Sequence, residues 1–327
     1  MMRTIIYGAG GIGSVVGGHL ARTGHEVILI GRPGHVKAIH ENGLKLITPV
    51  GTHILQIPAV THPEQITFKS GDVVFLTMKS QDTEDALKTL KKCVDQVPIF
   101  CLQNGVRNEE TAAGLFENIY GSTVRIGAVY MNNGEVIARN DPAGWLIMGR
   151  YPEGTDAFVE TVAAQLRKAS LFVMVTPYVM RYKWGKLMRN IRSAVGAITD
   201  ASHADCREIN ERVRKEAHDL LVEAGIPYVV DAQIAEEWPE FTIKPPKFAG
   251  GGEPQNSTWQ SLARKVGSVE NEFFNGEIAR LARKLGKKAP LNEGINRVIQ
   301  DMAAKRETPG RYTIADLKRI LGLVQDS

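Results

Sequence analysis

The chain has 327 residues, 43% hydrophobic and 23% charged, with 40 basic and 36 acidic side chains and a formal net charge of +4. That length supports two domains with separate cores, and so small a basic excess argues against a nucleic-acid partner while suiting a small anion. No run of about 18 uncharged apolar residues occurs, so no transmembrane helix is expected, and Gly8, Gly10, Gly11 and Gly13 break the N-terminal apolar run, so neither is a signal peptide.

The first half alternates short β-branched runs with helical segments. RTIIYG, from Arg3, reads as a strand, and residues 11 to 23 as a helix whose Gly17 and Gly18 allow close approach to a sheet. EVILIG is a second strand and GDVVFLTMK, 71 to 79, a third. SQDTEDALKTLKKC then reads as a helix with an acidic start and a basic end, the polarity its dipole favours. VPIFCLQNG, 97 to 105, is a further strand closed by a turn. Strand and helix in alternation predict a parallel, doubly wound sheet. TVRIGAVYMNN, EVIARN and GWLIMG follow with the turn signal Asn133-Gly134, so antiparallel additions are expected.

After Pro177 the pattern becomes helical, in YVMRYKWGKLMRNIRSAVGAIT, in CREINERVRKEAHDLLVEAGI, and over 257–286 and 290–306. The predicted fold class is therefore α/β, with a Rossmann-type domain at 1–177 and an all-helical domain at 178–327. The exception is 238–256, where Pro239, Pro245, Pro246, Pro254 and the run Gly250-Gly251-Gly252 argue against regular structure. So long a loop inside a domain is usually functional, and closure over a ligand is the expectation. Cys93, Cys101 and Cys206 show neither a disulfide framework nor a metal spacing, which suits a reducing cytoplasm.

Gly8-Ala9-Gly10-Gly11-Ile12-Gly13 follows a predicted strand and opens a predicted helix. In such a turn Gly8 permits the tight bend, Gly10 lets the backbone approach a pyrophosphate, and Gly13 lets helix pack on strand. The helix N-terminus then offers amides and partial positive charge to phosphates. An NAD site places Asp or Glu at the end of the second strand, but this chain has Ile30-Gly31-Arg32-Pro33. Arginine suits a 2′-phosphate, so NADP (NADPH) is the expected cofactor. His35, near Arg32, is a minor candidate for the same phosphate; no histidine has metal or triad spacing.

Seven segments together, GAGGIG, MKSQ at 78–81, QNG at 103–105, KWGKLMRN at 183–190, NSTWQ at 256–260, ENEFFNGEI at 270–278 and LGKKAPLN at 285–292, are similar to the ketopantoate reductase (2-dehydropantoate 2-reductase) family over almost the whole length. The resemblance implies a Rossmann domain and a helical domain of the 6-phosphogluconate dehydrogenase C-terminal type, with the active site between them. It implies NADPH-dependent reduction of a 2-keto acid, 2-dehydropantoate or a related branched one, in pantothenate biosynthesis. Lys186 would be the general acid, Asn190 and Ser257 would bind substrate, and Asn104 would lie beside nicotinamide and substrate. Glu270 would approach the cofactor ribose and the catalytic lysine, and Lys79 would sit at the cofactor cleft.

The chemistry of these residues agrees. Hydride arriving at a ketone carbon leaves charge on oxygen, and a lysine supplies both a positive charge and a proton. Lys186 and Asn190 stand four apart on one helix face, while Lys183 and Arg189 are expected at the surface. Where many family members carry a second asparagine, this chain has Ser193 and Ala194, and Ser261 stands where many have aspartate. These departures fall near the substrate, so another branched or larger 2-keto acid stays open. The alternatives are a β-hydroxy acid dehydrogenase-like enzyme and a non-catalytic NADPH-binding sensor. The expected partner is a small-molecule 2-keto acid, with no nucleic acid, membrane or metal, and with a homodimer as candidate assembly.

Overall fold

The computed structural model describes residues 2–130, 132–246 and 256–324. The chain forms two compact units, Met1–Lys183 with Val229–Gly251, and Trp184–Tyr228 with Gly252–Ser327.

The first unit begins β1 (Arg3–Tyr7), α1 (Gly11–Arg22), β2 (Glu26–Ile30), α2 (Pro33–Asn42). A hairpin, β3 (Leu44–Thr48) and β4 (Gly51–Leu55), precedes the short β5 (Ala59–Val60). Then come β6 (Asp72–Leu76), α3 (Thr83–Cys93), β7 (Ile99–Cys101), α4 (Asn108–Ala113), β8 (Ile119–Ile126), β9 (Ala128–Val129) and β10 (Glu135–Ala138). β11 (Gly144–Arg150), α5 (Ala157–Lys168) and β12 (Phe172–Val175) complete the sheet region. The main sheet runs β12-β11-β8-β7-β6-β1-β2-β5. Neighbouring pairs are parallel except β8 with β11. Ile5 lies between Ile28 and Val74, and all five residues of β6 are buried, as parallel strands covered on both faces require.

The antiparallel additions form as expected at β8–β11 and β9–β10, and a further antiparallel hairpin, β3–β4, forms where no strand was expected. One pairing differs: β10 runs parallel to β3, so EVIARN joins a separate four-stranded sheet, β4-β3-β10-β9, rather than the main one. That sheet packs its Leu44, Leu46, Val136 and Ala138 into the same core as Val15, Val16 and Leu20 of α1.

Beyond β12 the chain enters α6 (Val179–Asn190), which belongs to the first unit up to Lys183 and to the second from Trp184. The second unit continues with α7 (Ser193–Thr199) and α8 (Arg207–Glu223). The chain then returns to the first unit through α9 (Asp231–Glu237) and a 3-10 turn, Pro239–Thr242. The second unit resumes with α10 (Ser257–Ala263), a 3-10 turn Glu270–Phe273, α11 (Asn275–Lys284), α12 (Pro290–Ala304) and α13 (Ile314–Ile320).

The return segment departs from the expected continuous halves, and its packing explains why. Val229, Ile234 and Trp238 join Ile147 and Tyr182 in one apolar cluster, with Trp145, Phe172 and Phe241 against it. Arg125 pairs with Asp231, the Trp145 indole N–H donates to the Glu240 carbonyl, and the Asp141 amide donates to the Pro246 carbonyl. The described part of the predicted loop, 238–246, is thus fixed to the first unit and contains regular 3-10 structure. The Gly250-Gly251-Gly252 run lies outside the described residues, and with it the closure expectation. No helix among the described residues is long and apolar enough to cross a membrane.

Candidate active site

In the first unit the candidate residues share one edge of the main sheet. Neighbouring parallel strands β7, β6, β1 and β2 deliver, beyond their carboxyl ends, Asn104, Lys79, the Gly8–Gly13 turn and Arg32 in that order. Open α/β sheets bind ligands on this edge.

The turn itself is built by packing. Gly8 has φ +109°, and a Cβ there would sit 2.4 Å from the Met78 amide nitrogen. A Cβ at Gly13 would lie 2.5 Å from both the Gly8 carbonyl oxygen and Thr77 Oγ1. That hydroxyl donates to the Gly8 carbonyl at 2.8 Å, tying the end of β6 to the turn. Gly10 is different. A Cβ there would meet nothing nearer than the Gly8 oxygen at 3.9 Å, so the protein itself does not require glycine at this position. A ligand lying against the backbone would. Gly10 caps α1 without a side-chain bond, and no acidic residue occupies the first turn. The amides of Gly11, Ile12 and Gly13 open the helix and have no partner inside it. Ala9 contributes differently, since its amide donates to the Ile30 carbonyl and its side chain is buried. The turn therefore fits a pyrophosphate through Gly10 and the first-turn amides.

Arg32 caps α2 from an exposed position just beyond β2. Tyr130 feels its charge, which opposes the larger effect of burial in raising the phenol. His35 does not reach toward a phosphate. It is fully buried, with Nε2 3.2 Å from Ser14 Oγ and Nδ1 accepting from the Gly134 amide at 2.9 Å. The second bond puts the ring proton on Nε2, and burial lowers the imidazole below its ordinary range. His35 is thus a brace between α1, α2 and the small sheet.

Lys79 is half-buried at the start of the 3-10 turn Ser80–Asp82. Asn104 is half-buried, and Gly105 after it has φ +80°. Buried side chains hold this turn from below. Asn108 Nδ2 and Ser80 Oγ donate to the Asn104 carbonyl at 2.8 and 3.1 Å. Gln103 Nε2 donates to Thr83 Oγ1, which donates to Asn108 Oδ1.

In the second unit Lys186 and Asn190 are both half-buried on α6, one turn apart. Asn256, not Ser257, caps α10, its side chain accepting from the Trp259 amide at 2.9 Å. Ser257 itself is exposed at the first helical position. Glu270 opens the 3-10 turn Glu270–Phe273 and is half-buried.

A network of hydroxyls and amides links the segments carrying these residues. Ser193 Oγ donates to the Asn190 carbonyl at 2.6 Å and lies 3.3 Å from Thr258 Oγ1. Thr258 donates to Asn271 Oδ1, Asn271 to Asn275, and Asn275 to both the Ile191 carbonyl and Asn292. Ser193 thus works on the framework: it ends α6 and holds α10 beneath Ser257. No periodic pattern marks this network beyond the NEFFN spacing of Asn271 and Asn275, one turn apart and both buried.

One sequence expectation is overturned outright. Lys183 is 2% exposed rather than at the surface, and its Nζ donates to Glu109, which is fully buried, and to the Gln103 carbonyl at 3.1 Å. A spacing signal existed. Lys183 stands four residues from both Val179 and Leu187, on the stripe of α6 that is buried. Among the described residues no group of three His, Cys, Asp or Glu side chains is placed to hold a metal ion.

Known proteins match this chain along nearly its whole length. The family model "Ketopantoate reductase PanE/ApbA" matches residues 4–153, and its C-terminal counterpart matches 178–303. The 2-dehydropantoate 2-reductase of Pyrococcus horikoshii is 33% identical over 89% of this chain and 94% of its own length. A solved ketopantoate reductase from Ralstonia eutropha JMP134 superposes with a TM-score of 0.77 at 28% identity, covering 93% of this chain and 99% of its own. D-mandelate dehydrogenase with NADH and anilino(oxo)acetate shares the fold, with a TM-score of 0.80 at 21% identity over 93% of this chain and 99% of its own. The two family matches, one on each half of the chain, make it a member of the ketopantoate reductase family and an oxidoreductase.

Proposed function

We propose that the protein reduces a branched 2-keto acid, 2-dehydropantoate first among them, with NADPH. The observation that carries this reading is the order of candidate residues along the sheet edge. Arg32, the glycine turn, Lys79 and Asn104 follow four adjacent strands, and three interstrand steps span about 14 Å. That order suits an extended dinucleotide with its adenosine at Arg32, its pyrophosphate on Gly10 and the α1 amides, and its nicotinamide toward Asn104.

NADPH, when bound, supplies the hydride. The chain supplies the rest. The guanidinium of Arg32 forms charge-assisted bonds to a 2′-phosphate. The ammonium of Lys186 stabilises and protonates the ketone oxygen as charge develops there. Asn190, one turn on, orients that oxygen or its neighbour, and Ser257 contacts the substrate carboxylate. Glu270 steadies the lysine ammonium. Three free cysteines, two of them buried, fit a reducing cytoplasm.

The test is NADPH oxidation across a panel of 2-keto acids, repeated with NADH and with Arg32→Ala. Turnover is expected with branched 2-keto acids. The variant should lose about 10- to 150-fold of its NADPH preference, the equivalent of one charge-assisted contact of about 1.5–3 kcal/mol. Tight NADPH binding without turnover of any ketone would overturn the reductase reading, and an unchanged cofactor preference in the variant would remove Arg32 from it.

A further inference from the structure

The buried pair Lys183–Glu109 stands beside the proposed machinery without belonging to it. Lys183 lies on α6, three residues before Lys186, and Glu109 lies at the start of α4. Their side chains are 1% and 0% exposed. Two of the three ammonium protons are accounted for, one on Glu109 Oε1 and one on the Gln103 carbonyl oxygen. The Gln103 carbonyl begins the turn that presents Asn104. The next carbonyl, of Asn104 itself, is held by Asn108 and Ser80. Both consecutive carbonyls of the turn are therefore fixed from inside the unit.

Stability does not account for an ion pair at this place. Desolvating two charges costs about as much as their attraction returns, and an apolar pair of the same volume often serves the fold better. Burial raises the Glu109 carboxyl, and the Lys183 charge works against that shift. What the pair adds is conditional satisfaction. The ammonium finds its second acceptor only when the turn holds this conformation, because that acceptor is the Gln103 carbonyl. A displaced turn leaves a buried ammonium proton without its acceptor, so the turn is penalised for moving. An apolar pair would fill the space and leave the turn free.

We propose that Lys183 and Glu109 are positioning residues for the Gln103-Asn104-Gly105 turn, fixing Asn104 for its work at the nicotinamide and substrate. The proposal rests on the reductase reading for its catalytic consequence and on the hydrogen-bond geometry alone for its structural one. The experiment compares the parent with Lys183→Met/Glu109→Leu, which removes both charges together. Lys183→Met alone would leave Glu109 buried and unpaired and could simply unfold.

In the double variant thermal stability should stay near the parent's, while kcat falls by about 10²-fold with KM for the keto acid changed by less than about threefold, the signature of a misplaced group. Amide hydrogen exchange over residues 103–105 should accelerate in the double variant, with β1 and β6 unchanged. A Lys183→Arg variant, which keeps a donor for the Gln103 carbonyl, should recover part of kcat. A double variant with the kcat of the parent would overturn the proposal, as would unchanged exchange at the turn. If the parent turns over no 2-keto acid, the reductase reading fails, and the exchange measurement still decides whether the pair holds the turn.

Discussion

In the sheet unit most of what faces the proposed cofactor is backbone: the Gly10 turn and the first amides of α1, presented at the carboxyl ends of β1 and β6. In the helical unit the proposed chemistry belongs to side chains, Lys186 and Asn190 on α6, Ser257 on α10 and Glu270 on a 3-10 turn, three short helical stretches in all. The supports differ too. The sheet unit buries charge and titratable rings, among them Arg3 paired to Asp72, Lys183 to Glu109, and the imidazoles of His19 and His35. The helical unit buries one carboxylate, Glu277 beside Arg280, and links its segments through hydroxyls and amides from Ser193 to Asn292, which in turn donates to Glu216. Backbone recognition tolerates no extra atoms and so demands glycine at fixed spacing. Side-chain recognition demands only that helices arrive in register, which many sequences achieve.

The sharpest way to break this comparison is at the proton donor proposed for the helical unit. Lys186→Ala should lower kcat by about 10²- to 10⁴-fold, the usual worth of a general acid. NADPH affinity, read by fluorescence titration, should hardly move, since the proposed phosphate contacts belong to the other unit. A large loss of affinity with little loss of kcat would reverse the division of labour.

Acid probes the difference in supports. His19 is 1% exposed, and burial, helped by Arg22 and His53, lowers its imidazole to about 4. The folded state therefore refuses a proton that the unfolded chain accepts below its ordinary value of 6.5. Stability is full above pH 6.5 and drains away as pH falls to about 4, by about 3 kcal/mol in all. Denaturant melts across that window should show the slope, and His19→Leu should flatten it. Hydrogen exchange should place the early loss in the sheet unit, where His19 lies, before the hydroxyl and amide network of the helical unit opens.

The smallest effect separates two glycines of one motif. Gly13→Ala forces a Cβ against the Gly8 carbonyl and should cost about 1–3 kcal/mol of stability, as overpacking does. Gly10→Ala has room and should melt like the parent. Its NADPH affinity should still fall about tenfold, or about 1.4 kcal/mol. Unchanged affinity in Gly10→Ala would remove the pyrophosphate from this turn.

What could be read in advance follows the same line. The parallel sheet, the glycine turn and the arginine in place of an acid were legible because each rests on local chain geometry. The helix carrying Lys186 was legible from its apolar spacing, whereas the helical stretch expected over 257–286 divides into α10, a 3-10 turn that carries Glu270, and α11. Lys183 was misjudged because a lysine defaults to the surface, although its spacing from Val179 and Leu187 marked the buried stripe. Glu109 gave no local signal, since its partner lies 74 positions away. His35 was drawn toward the phosphate by its nearness to Arg32 in sequence. Its real neighbours, Ser14 and Gly134, come from elements that only folding brings together. The parallel pairing of β10 with β3 was hidden for the same reason, because it joins strands about 90 residues apart.

The return of Val229–Pro246 to the first unit has a consequence for how the protein is made. Trp145 and Phe172 leave the ribosome well before the residues that cover them, since Trp238 and Phe241 follow only once α8 has been synthesised. For that interval the nascent sheet carries an aromatic flank without its cover, which is where a chaperone finds purchase and where a chain cut after residue 177 would aggregate.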